Sequence, residues 1–118
     1  MQVSVNRIVG DEADHLLVRS DRYMAALYPA ESNHLVSSAS LRGRHALFLG
    51  AFTEQDTLNA TAHTCIGCVA ARFYQGAGYA EIKRLFVEEG YRGHSIARTL
   101  MMAIEAGIVA EGIHCARL

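Results

Sequence analysis

The chain is short of the features that mark several function classes. It has one proline in 118 residues and a formal net charge of −1, so neither sign of charge prevails. Nucleic acids and anionic membranes both demand a basic face, and neither is expected as the main partner. No apolar run approaches the ~20 residues of a membrane-spanning helix. Met1-Gln-Val-Ser-Val also lacks the basic start and apolar core of a signal peptide, so the expected compartment is the cytoplasm. There are three cysteines, an odd number without an export signal, which points to reduced thiols. No G-x-G-x-x-G follows the first apolar segment, which excludes a Rossmann dinucleotide site. What is present is 51% apolar and 19% charged residues, a globular balance whose length suits one domain spanning residues 1–118.

Apolar spacing gives a coarse order of elements. Val3, Val5 and Ile8-Val9 predict a strand that Gly10 stops, and Asp11 is a plausible N-cap with Asp14 at capping-box distance. Leu16, Leu17, Tyr23, Met24, Leu27 and Tyr28 recur at helical spacing over residues 12–28, and Pro29 ends the run. A short helix is expected around Leu35–Leu41. His45 to Phe52 and Cys65 to Phe73 read as buried strands of a hairpin, with residues 53–61 as a polar turn. After Gly76-Ala-Gly, Tyr79 to Val87 forms the third strand of a meander. Ile96, Leu100, Ile104 and Ile108 then fall on one stripe of a helix of roughly four turns that Gly112 ends. Ile113 to Leu118 starts a last strand, parallel to Tyr79–Val87 because a helix crosses over between them.

Cys65-x-x-Cys68 has redox or zinc spacing but lies in a predicted strand. Residues three apart on a strand face opposite sides, so the two sulfurs are expected to diverge. No histidine pair has ligand spacing, and no metal is expected.

The densest information lies between Tyr79 and Met102. A strand ends at Val87, a short acidic loop follows, and Arg92-Gly93-His94-Ser95-Ile96-Ala97 leads into a helix. Such a turn gathers backbone N–H groups around one anionic point, the setting for a phosphate or pyrophosphate. The segment resembles the acetyl-CoA-binding segment of the GNAT superfamily of N-acetyltransferases, Arg/Gln-x-x-Gly-x-Gly/Ala directly after a strand. Arg92 and Ala97 match the ends of that pattern, and Ser95 stands where glycine is usual. The order of elements, β-α-α-β-β-β-α-β, also resembles the α/β (α+β) GNAT fold, with a mixed sheet and without the helix and two strands that usually follow. Tyr28-Pro-Ala-Glu-Ser-Asn-His34 is similar to a loop of small bacterial members.

The resemblance implies acetyl-CoA as co-substrate and a primary amine, small or peptidic, as acceptor. Amides of Gly93, His94, Ser95, Ile96, Ala97 and Arg98 would converge on the pyrophosphate, with Arg92 adding a charge-assisted contact. His94 either touches the cofactor or stays solvated. Backbone groups of Leu85, Phe86 and Val87 would pair with the pantetheine arm, and one N–H there would polarise the thioester carbonyl. Glu81 interrupts the apolar strand four residues before Leu85, on the same face by strict alternation. It is the candidate general base, with a surface charge or a partner for Lys83 or Arg84 as the alternative. Tyr28, Glu31 and His34 would line the acceptor side or simply cap and pack their loop. A second reading is a non-catalytic acyl-CoA-binding or interaction module. A sheet edge at the last strand would suit a homodimer.

Overall fold

Alternating apolar side chains draw five segments into one sheet. In the computed structural model, which describes residues 2–27, 41, 43–56 and 61–118, these are β1 (Val3–Arg7), β2 (Ala46–Asp56), β3 (Thr61–Tyr74), β4 (Tyr79–Val87) and β5 (Ala116–Arg117). They lie in chain order, antiparallel except for the expected parallel β4–β5 pair. Helices α1 (Asp14–Leu27) and α2 (Ile96–Ala110) cover opposite faces. Ile96, Leu100, Ile104 and Ile108 of α2 bury against Ile66, Val69, Ala71, Ile82 and Val87. Ala13, Leu16 and Leu17 bury against Phe48, Cys65, Cys68 and Ala70 on the other side, where Leu41 also inserts.

The described elements keep the expected mixed α/β order. Apart from Leu41, the short helix expected around Leu35–Leu41 lies outside the described residues. α1 begins at Asp14, later than expected, because the Asp11 carbonyl takes the Asp14 amide while the Glu12 carboxylate accepts from the Val9 amide at 3.2 Å. Its buried stripe is Ala13, Leu16, Leu17 and Ser20, whereas Tyr23 and Leu27 are more than half exposed. The polar turn expected over 53–61 is shorter than predicted. β2 runs on to Asp56 and β3 starts at Thr61, pairing Glu54 with His63 and Asp56 with Thr61. Polar and β-branched residues can hold a strand ladder, and hydropathy alone does not reveal it.

Two irregularities break strict alternation. Between Ala51 and Phe52 the β2–β3 register shifts, so Ile66 is the extra residue of a bulge. Cys65 and Cys68 therefore both point to the α1 side, which corrects the expectation that their sulfurs diverge. The second shift lies between Cys68 and Ala70, where Arg84 and Leu85 oppose Val69. Arg84 adopts φ 59°, in the left-handed region. Across this bulge Ile82 and Val87, five residues apart, bury in the same core. Gly67 lies under the start of α2. A Cβ there would stand 3.2 Å from Leu100, 3.3 Å from the Phe86 carbonyl and 3.4 Å from Ile96.

Candidate active site

The loop after β4 tightens into a 3-10 turn, Glu89–Tyr91, then reaches α2 through two left-handed residues, Gly93 at φ 86° and Ser95 at φ 62°. Alternating the hand of the backbone in this way curls successive N–H groups toward one side. The first-turn amides of α2 have no acceptor within the helix, and the Ser95 carbonyl is first met by the Thr99 amide, at 3.0 Å. Val87, Tyr91, Arg92, Gly93, Ser95, Ile96, Ala97 and Arg98 enclose a cavity of about 330 Å³ at this helix end. Its guanidinium groups and positive helix terminus suit an anion. Arg92 is oriented by its neighbours: Nε donates to the Val87 carbonyl at 3.0 Å, and the guanidinium lies 5.5 Å from the centre of the Phe86 ring.

A second cavity of about 320 Å³ shares Val87, Arg92 and Ala97 with the first and adds Leu85, Phe86, Ser20 and Tyr23. Together they make a groove from the helix end along the β4 bulge to α1. Only Ala80 and Glu81 of β4 pair with β5, so among the described residues the rest of that edge has no strand beside it. That open edge can meet an extended ligand, with the Arg84 carbonyl already taken by Cys68 and the Val87 carbonyl by Arg92. Two ion pairs tie α1 to this wall, Arg19 with Glu88 and Asp21 with Arg84, whose side chain is 5% exposed. The bulge is held from below as well, because the Cys68 thiol donates to the Arg84 carbonyl at 3.3 Å.

The groove thus unites Leu85, Phe86, Val87, Arg92, Gly93, Ser95, Ile96, Ala97 and Arg98, and His94 projects from the same turn as an exposed residue outside its lining. Glu81 lies elsewhere. It sits near the start of β4, paired with Lys83 at 2.7 Å, and the bulge between Glu81 and Leu85 removes the simple alternation that put them on one face. Tyr28, Glu31 and His34 lie outside the described residues. Sequence reasoning missed Ser20, Tyr23, Tyr91 and Arg84. A serine inside an apolar helical stripe and an arginine inside an apolar strand were the available signals. Among the described residues no group of three or more His, Cys, Asp or Glu could hold a metal ion, and no helix is long and apolar enough to cross a membrane.

Residues 14–118 match the model of the acetyltransferase (GNAT) family. The chain belongs to that family. A relative described as an IAA acetyltransferase, from Azospirillum brasilense, is 37% identical over 103 residues, which are 87% of this chain and 62% of the relative. The chain therefore spans less than two thirds of that protein. Among solved structures, the GNAT fold recurs in PaiA N-acetyltransferase from Thermoplasma acidophilum in complex with coenzyme A. The TM-score is 0.67 at 21% identity, over 96% of this chain and 76% of that one. It recurs also in a Clostridium acetobutylicum acetyltransferase with acetyl-CoA, with a TM-score of 0.60 at 15% identity, over 98% and 79%. At these identities the likeness is one of fold.

Proposed function

We propose that this GNAT domain transfers an acetyl group from acetyl-CoA to a primary amine by direct attack within a ternary complex. The observation that carries the reading is the continuity of the groove, from an electropositive helix end to an open, bulged strand edge. Amides of Gly93 through Arg98, with the Arg92 and Arg98 guanidinium groups, hold the pyrophosphate. Backbone groups of Leu85, Phe86 and Val87 receive the pantetheine arm and polarise the thioester carbonyl. Glu81 relieves the attacking ammonium of its proton. The bulge takes up one residue, so the levels of Glu81 and Leu85 lie three residues of β3 apart, about 10 Å, and the relay runs through water. Tyr28, Glu31 and His34 complete the acceptor side.

Direct attack is favoured over an acyl-enzyme because the thiols nearest the bulge are poor nucleophiles. Burial pushes Cys65 up to about 11 and Cys68 up to about 12, which keeps both protonated at neutral pH. A second reading, an acyl-CoA-binding module without catalysis, draws support from the engagement of Glu81 by Lys83. Calorimetry with CoA and acetyl-CoA, followed by an amine panel with detection of released thiol, separates the two. Binding with turnover supports the enzyme and binding without turnover supports the module. A folded protein that binds neither at millimolar concentration defeats both.

A further inference from the structure

On the α1 side of the sheet, beyond the part that α1 covers, two rows of side chains cross the strands. Arg72 of β3, Glu81 of β4 and Arg117 of β5 are direct register partners and share one face. Beside them Tyr74 and Tyr79 stack with ring centres 4.9 Å apart. Lys83 lies next along β4, held by Glu81. The patch has three cations and one carboxylate. Among the described residues neither Arg72 nor Arg117 has an acidic partner.

Arg117 is pre-oriented, because its guanidinium lies 4.0 Å over the Tyr79 ring, itself backed by Tyr74. An arginine held over an aromatic ring keeps N–H groups for a planar anion, and the planar anion it matches best is a carboxylate. Neighbouring strands lie ~4.8 Å apart, so an anion on either arginine sits one strand away from the Glu81 carboxylate. That is the spacing of a small zwitterion, ammonium toward Glu81 and carboxylate toward arginine.

We propose that this patch selects the acceptor, and that the acceptor is a small primary amine carrying a carboxylate, of the amino-acid class. The carboxylate seats on Arg117, with Arg72 on the far side of Glu81 as the alternative seat, and the amine lies beside Glu81 on the side of the bulge. The proposal rests on the acetyltransferase reading of the groove and adds the acceptor's chemistry to it.

The test compares a panel of amino acids with the matching carboxamides and decarboxylated amines, at saturating acetyl-CoA. The carboxylate forms should be preferred at least tenfold in kcat/KM. Arg117→Gln, at an exposed position, and Arg72→Gln should shrink that preference mainly through KM, while CoA affinity holds. Equal or better use of the neutral forms, or an undiminished preference in both variants, overturns the proposal. Calorimetry of N-acetyl amino acids against their amides, with CoA present, gives an answer independent of turnover. Carboxylate-dependent binding that Arg117→Gln weakens supports the patch even if no transfer occurs, which would sink only the enzyme reading. Indifference to the carboxylate sinks the patch even in an active enzyme.

Discussion

Ser95→Gly is the most informative single change in the turn that opens α2. Ser95 holds φ 62° and its side chain makes no capping hydrogen bond, so the serine carries backbone strain with no local return. The left-handed region costs a residue with a Cβ about 1–2 kcal/mol. Glycine gives back roughly 0.5–1 kcal/mol through its freer unfolded chain. The net gain is about 0.5 kcal/mol, or ~2 °C in Tm at ~4 °C per kcal/mol for a domain of this size. Where free and bound protein share this backbone, the strain is met on folding and not on binding. CoA affinity should stay within about twofold, since a tenfold change needs 1.4 kcal/mol between free and bound states. Thermal unfolding and calorimetry on Ser95→Gly, with Ser95→Ala as control, read both quantities. A lowered Tm would refute the strain argument. A tenfold loss of affinity in both variants would instead assign the hydroxyl to a phosphate oxygen.

Three further outcomes are expected. Glu81→Gln should lower kcat by roughly 10²–10⁴ in a stopped assay with CoA affinity unchanged, and a parallel loss of binding would mark Glu81 as a structural charge. Asp21→Asn removes the Asp21 charge that faces the buried Arg84 guanidinium. It should cost about 1–2 kcal/mol in urea unfolding, below the usual buried-pair figure because Asp21 is itself half exposed; an unchanged midpoint would show that the bulge holds without α1. Cys65 and Cys68 titrate higher folded than unfolded, so their contribution is intact below about pH 9 and is lost as pH rises toward about 11–12. Urea unfolding should show declining stability over that window, and thiol labelling at pH 8 should modify exposed Cys115 well before the other two.

The sheet and the turn into α2 were legible because both rest on local signals. Apolar runs between glycine-containing turns placed β3 and β4, and the Arg92–Ala97 segment placed the helix end. Counting by two failed at the bulges. Ile66 and Arg84 each add a residue to one strand only, so the mismatch belongs to the pairing of two strands and leaves little trace in either. A glycine at Arg84 would have flagged the left-handed backbone, but arginine hides it. The arginine is tolerated because its side chain finds Asp21 on a helix far away in sequence. The same distance hid the groove's third wall, since Ser20 and Tyr23 read as ordinary helix positions until α1 is laid beside β4. The Arg72–Glu81–Arg117 row was equally invisible, because three strands must be in register before it exists.

Gly67 ties the middle of the sheet to the far end of the groove. The three groups that a methyl at Gly67 would crowd are Ile96, which opens α2, Leu100 one turn on, and the carbonyl of Phe86 in the groove wall. Adding a Cβ would press outward on both walls at once, by a few tenths of an ångström. A substitution at Gly67 is thus expected to alter the groove from outside its lining. Variants with faster release of CoA could arise there with every residue of the groove lining intact.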